Sequence, residues 1–414
     1  MKLYCNFEVN NKVIRAETYL EQKQDDCSVL ATVFPCEINY PTLTSDCSLE
    51  SVIGFSDLLL DKTSGSICEK RTEQTIKENI QEYKVKLPSA KLVSKNPPKA
   101  HDSVLVQIYL TNIPYSFKPL IVTREQEGKE PEIYQSNFTE INIIGQHKVV
   151  IKPYSEGVIS HLLEVDGVTF ADLENVIELI DSICLLITFA SGRMCSIAKI
   201  QVLHDTKIVH LEYISPENTK LREGNTVIYS EEDVIHFIES TYNDYISKVN
   251  IYKLRHLIKL GILAKNTPYI ENKTLLICNF LEILRYNYAI NIAVPRGTFC
   301  TRTRTDGSLE FRFKIGNNVA GFHDIIDDFC QTNNLKGWIK DYTKIRNEIV
   351  HQGEVVGNSY IEKIQNYLQL HHFCDRVILT LFNWDQVSGY YIPKHRIHRK
   401  ITNGKQVNRI KFKR

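Results

Sequence analysis

Near Ser230 the hydrophobic pattern of the chain changes its repeat from two residues to that of an α-helix, and this switch restricts the fold to a β-rich part followed by a helical part. Before the switch, apolar residues alternate with polar ones in short runs: Leu3, Cys5, Phe7, Val9; Val29, Ala31, Val33; Val104, Val106, Ile108, Leu110; and Val209, Leu211, Tyr213. The stretch from Ile141 to Ile151 reads the same way. Such runs, bounded by Pro, Asn, Gly and Ser, predict mostly antiparallel β-structure. Thr63 to Lys99 is polar and ends in Asn96-Pro97-Pro98, which predicts a long loop or an insertion. One helix interrupts the region. Thr169-Phe170-Ala171-Asp172 has the form of a capping box, and Leu173, Val176, Ile180, Ile183 and Ile187 follow at helical spacing until Gly192. The second half of this helix is apolar on every side, so it should be buried all round.

After the switch, Ser230-Glu231-Glu232-Asp233 caps a helix, and a second apolar helix runs to Pro268. Further helices are expected at about 272–293, 322–333, 336–352 and 358–385. Between the first two lies a basic segment, Arg296, Arg302, Arg304, Arg312 and Lys314, around Asp306-Gly307, which reads as a hairpin. The expected class is α+β: a β-rich N-terminal domain (1–230), a helical connector (231–271), an all-α helical-bundle domain (272–385) and a basic tail (386–414). A length of 414 residues suits two or three domains.

Apolar residues make up 43% and charged residues 24% of the chain, as in ordinary globular proteins. The eleven cysteines form no C-x-x-C pair and no even framework, so they read as buried thiols in a reducing cytoplasm and not as disulfides or a zinc site. The N-terminus has no signal-peptide core, and no apolar run is long enough to span a bilayer, so a cytoplasmic chain without a membrane partner is expected. Net charge is only +1, yet after Asp385 nine basic residues follow with no acidic one. Such a tail suits phosphate contacts or a solvated terminus.

The most informative stretch is 335–351. Leu335, Trp338, Ile339, Tyr342, Ile345 and Ile349 define one apolar helix face, and Arg346 is expected near its centre. Asn347 and His351, four residues apart, share a flank. A guanidinium aimed at packed protein costs several kcal/mol unless it is paired, so Arg346 needs a carboxylate or a cleft that takes an anion. Glu282, amid the apolar helix 275–289, is the intradomain candidate for that partner. His351 precedes Gly353, a helix-ending residue, where the helix dipole suits a cation.

The run Ile345-Arg346-Asn347-Glu348-Ile349-Val350-His351-Gln352-Gly353 resembles the HEPN superfamily, whose hallmark is an Arg, an adjacent polar residue and a His a few positions on. It is most similar to the Apea-like branch, over residues 272–385. The resemblance implies a helical bundle that pairs so that two motifs face one cleft, with Arg346, Asn347 and His351 as catalytic residues. It also implies RNA cleavage without metal or other cofactor, often in phage defence or toxin systems. The β-rich part would then sense an unknown trigger or restrain the nuclease. A tRNA loop is an attractive target, because single-stranded loops are the usual sites of selective RNA recognition. Arg302, Arg304 and Arg312 of the hairpin, and Arg396, Arg399 and Lys400 of the tail, are candidate RNA contacts. Two plainer readings stand beside these: a non-catalytic module of the same fold that binds RNA, a nucleotide or a protein, and a salt-bridged Arg346 with His351 as a helix cap. His371, His372 and Cys374 lie on a helix with an apolar stripe and read as core rather than as metal ligands. No Walker loop and no G-x-G-x-x-G is present.

Overall fold

The alternating runs at the N-terminus close on themselves. A computed structural model describes residues 2–9, 12–35, 46–51, 58–74, 79–117, 121–124, 132–135, 139–143, 147–215, 226–228, 230–335, 342–357, 359–384, 398–402 and 406–410. The chain forms two units, Met1–Cys184 with Met194–Leu221, and Leu185–Arg193 with Arg222–Arg414.

In the first unit, β1 (Lys2–Val9), β2 (Lys12–Gln22), β3 (Val29–Pro35), β4 (Asp46–Ser51), β6 (Thr63–Gln74) and β7 (Asn79–Leu87) form a closed barrel in the order β1-β2-β3-β7-β6-β4. Leu3, Cys5, Ala16, Leu20, Val29, Ala31, Val33, Leu49, Val85 and Leu87 belong to one buried cluster. Closure leaves no unpaired strand edge, which removes a site of aggregation. Burial pushes the Cys5 thiol up to about 11, as suits an inert core cysteine.

The second sheet is antiparallel throughout, with β5 (Leu58–Leu60), β8 (Ser89–Ser94), β9 (Ser103–Thr111), β12 (Thr139–Ile141), β13 (Val149–Glu156), β14 (Ile159–Thr169), β15 (Ser196–His204) and β16 (Lys207–Ile214). Its order is β12-β13-β14-β9-β15-β16-β8-β5, with β9 paired on both sides: Val106 faces Val165 on β14 and Val202 on β15. Leu58, Leu60, Ala90, Leu92 and Leu211 join the buried cluster of the barrel, so the two sheets share one core. A small pair, β10 (Ile121–Arg124) and β11 (Glu132–Gln135), completes the unit.

Two expectations are corrected here. Thr63–Lys99 is not a loop or an insertion: it supplies β6, β7 and β8. Val85, Leu87, Ala90 and Leu92 are buried while Lys84, Lys86 and Lys91 between them are not, so the polar composition is the solvent face of strands buried on one side. Helix α1 (Leu173–Ser191) stops at Gly192 (φ 69°) as expected, but Thr169 makes no side-chain cap. A short 3-10 turn, Phe170–Asp172, precedes it, and the Asp172 carboxylate accepts from His147 (2.8 Å) and Asn175 (2.5 Å). Those hydrogen bonds hold its carboxyl below the usual carboxylate range.

The last turns of α1 count with the second unit, where Phe189 meets Phe237 and Phe382 at 6.0 and 6.1 Å. That accounts for an apolar surface on every side of this segment. The unit continues with α2 (Glu231–Tyr252), α3 (Leu254–Asn266), α4 (Ile270–Tyr288) and, after a π-turn at Ala289–Ala293, the short α5 (Val294–Arg296). Ser230 caps α2 by accepting from the Asp233 N–H at 3.0 Å. Then come the hairpin β17 (Phe299–Thr303) and β18 (Leu309–Phe313), α6 (Phe322–Thr332), α7 (Tyr342–Gln352) and α8 (Tyr360–Leu381). The hairpin turns at Asp306-Gly307, with Gly307 at φ 80°, as the Asp-Gly pair requires.

Helices α2 and α3, expected as a connector, pack into this unit. The Tyr367 hydroxyl on α8 donates to the Ala264 carbonyl on α3 (3.1 Å), and Lys265 pairs with Asp375 at 3.2 Å in a nearly solvent-free setting. The tail carries a hairpin, β19 (His398–Thr402) with β20 (Gln406–Ile410). Among the described residues no helix is long and apolar enough to cross a membrane.

Candidate functional site

Residues 336–341, and with them Trp338 and Ile339, lie outside the described residues. Among the described side chains of α7, Ile345 and Ile349 are buried. At 100° per residue, Arg346 points about 80° from the midline between Ile345 and Ile349, at the rim of the surface that these two bury. Its side chain is 31% exposed, so the guanidinium is half-buried. Asn347 and His351 are exposed. Gly353 (φ 73°) ends the helix, its N–H donating to the Ile349 carbonyl at 3.1 Å.

Glu282 projects from α4 to meet this rim. Its Oε1 accepts from Arg346 Nε at 3.1 Å, and its Oε2 accepts from Arg285 Nε at 3.0 Å. Arg346 Nη1 in turn donates to Asn347 Oδ1 at 3.1 Å. One carboxylate thus orients two guanidiniums, and the amide fixes one edge of the first. Ion pairs this exposed contribute about 1 kcal/mol or less each to folding, so the cluster matters for orientation more than for stability. It leaves two cations to one anion, with Arg346 Nη2 uncommitted among the described residues. A cationic edge of this kind is suited to the non-bridging oxygens of a phosphate.

Arg285 is the residue that sequence reasoning missed. Its guanidinium lies against Phe311 and Phe322, with ring centroids 5.8 and 5.9 Å away. The available signal was its i, i+3 spacing from Glu282 on a predicted helix. Conversely, the structure does not bring His351 into the cluster. Five residues along a helix separate it from Arg346 by about 7.5 Å of rise and about 140° of rotation.

The other candidates divide. Arg304 and Arg312 both converge on Glu310, at 3.0 and 2.7 Å, and hold its carboxyl below the usual carboxylate range. Arg312 also donates to the Asn317 carbonyl. The two arginines thus share one carboxylate and the hairpin keeps a net positive charge, with Arg302 and Arg304 exposed. Arg399 and Lys400 lie on β19, and Arg396 is outside the described residues. His371 is buried, with Nδ1 3.5 Å from Asp375 and Nε2 3.4 Å from the Gly261 carbonyl, so its ring serves the core of the helical unit. No protein-family model, no curated protein and no solved structure matches the chain.

Proposed function

We propose that this chain is a metal-independent endoribonuclease of the HEPN type, acting as a homodimer through its helical unit. The observation that carries the reading is the Arg346 guanidinium, held by Glu282 and Asn347 at the surface with a free edge, on the same helix as the exposed His351. RNA brings its own nucleophile. A base removes the 2′-OH proton, the oxygen attacks phosphorus, and the bond to the 5′-oxygen breaks as that oxygen takes up a proton. Arg346 steadies the charge on the non-bridging oxygens through the phosphorane, and His351 moves a proton as base or acid. Asn347 keeps the guanidinium plane in place.

The rotation between Arg346 and His351 favours a cleft built from two copies of α7. Val350, next to His351 and 46% exposed, supplies apolar surface for that contact. Isologous pairing of this sort is the commonest assembly. The barrel-and-sheet unit would sense the trigger, and the basic tail would add phosphate contacts. A role in anti-phage defence or as a toxin, with a tRNA loop as one target, completes the proposal.

A second reading is favoured by one observation: among the described residues no hydrogen bond or ion pair links His351 to the Arg346 cluster in a single copy. On that reading the unit binds RNA, a nucleotide or a partner protein without cutting. Incubating the purified protein with total RNA and mapping new ends separates the two. The nuclease reading expects 2′,3′-cyclic phosphate and 5′-hydroxyl ends; 3′-hydroxyl ends with 5′-phosphates, or no cleavage beside clear binding, would contradict it.

A further inference from the structure

Beside the Arg346 cluster, α4 presents a cation and a ring that share a wall. Arg285 is 22% exposed and oriented from three sides, by the Glu282 carboxylate and by the rings of Phe311 and Phe322. Among the described residues neither of its Nη atoms has an acceptor, so its hydrogen-bonding edge is held in place but unused. A guanidinium fixed in this way has little rotamer freedom left to lose when an anion arrives. The next residue, Tyr286, packs on the same Phe311 with ring centroids 6.0 Å apart, and is 43% exposed. Phe311 itself is only 3% exposed, so this wall is part of the packed hairpin and does not move freely.

We infer that Arg285 and Tyr286 form a nucleotide subsite next to the Arg346 site. Arg285 takes the phosphate neighbouring the one held by Arg346, and Tyr286 stacks a base of the same single strand. The inference rests on the RNA reading above. Its chemistry is that of single-strand recognition, in which a cation follows the backbone and an aromatic face accepts any unstacked base. Glu282 joins the two arginines, so adjacent phosphates meet two guanidiniums already set relative to each other. A paired duplex, whose bases are stacked inside, offers Tyr286 nothing. The subsite therefore selects strandedness, not sequence.

The test uses the full-length protein and a fluorescent 2′-O-methyl oligoribonucleotide, which lacks the nucleophile and is not cut. Binding is measured over a range of salt, with circular dichroism as a check on folding. Tyr286→Leu should weaken binding roughly ten- to a hundredfold, the range for loss of one base–aromatic stack, while Tyr286→Phe binds like the wild type. Arg285→Gln should weaken binding and flatten the dependence of log Kd on log salt by about 0.7, the loss of one phosphate contact on a single strand, and Arg285→Lys should keep that slope. The duplex of the same sequence should bind more weakly than the single strand. If Tyr286→Leu and Arg285→Gln bind with wild-type affinity and slope while Arg346→Gln does not, the subsite is wrong and the RNA reading stands. Equal affinity for the duplex also overturns the subsite. A wild-type protein that binds no single strand, or only an acidic peptide, overturns both.

Discussion

Glu282 decides what Arg346 and Arg285 can do. Without its carboxylate, two like charges lose their common partner and both side chains regain their freedom. Glu282→Ala should therefore lower RNA cleavage by about a hundredfold, the scale of a small misplacement of a catalytic group. Because the two pairs are partly exposed, thermal unfolding should shift by no more than about 2 kcal/mol. A large loss of stability, or unchanged cleavage, would contradict this. The Arg346–Glu282 pair was legible in the sequence because a cation on an apolar helix demands a partner, and Glu282 is the acid amid the facing apolar helix. The depth of Arg346 was not legible. It depended on which side chains of α7 are buried, and periodicity counts Trp338, Ile339 and Tyr342 as core without showing where they pack. Arg285 was missed because its walls, Phe311 and Phe322, come from other elements far along the chain.

Among the elements, those with one buried and one clean polar face, or with a capping residue, could be read directly. Helices α6 and α8, the cap of Ser230 and the turn at Gly307 follow from local chemistry. Strands β6 to β8 could not be read, since their sequences are rich in Lys, Glu, Gln and Ser and offer few apolar residues to alternate. Instead of a capping box at Thr169, the Asp172 carboxylate that would have closed it accepts from His147, outside the helix, and from Asn175 in the first turn. A related tertiary constraint governs the turn between β13 and β14. Gly157 lies at φ +60°, and a Cβ there would stand 1.8 Å from the Gln24 carbonyl oxygen, which the neighbouring Val158 N–H uses as acceptor at 2.9 Å. Gly157→Ala should cost roughly 2–4 kcal/mol from left-handed strain and overpacking together. Denaturant unfolding measures it, and an unchanged midpoint would show that the turn relaxes freely.

At the scale of the whole chain, the order of a β-rich part before a helical part was visible from the change of period. The helical unit recruits the end of α1 and all of α2 and α3, because their apolar surfaces match α4, α8 and the Phe237, Phe382 and Trp384 rings. If two copies of α7 make the cleft, light scattering should report a dimer at micromolar concentration, and Val350→Asp should shift it toward monomer and lower cleavage together. A monomer that retains full activity would remove the two-copy site. The central claim is tested most directly by RNA cleavage with Arg346→Ala, with His351→Ala and with EDTA added to the wild type. The account predicts that each substitution abolishes cleavage with the fold intact, while EDTA leaves it unchanged. Cleavage that survives either substitution, or that stops in EDTA and returns with added divalent metal, would contradict it.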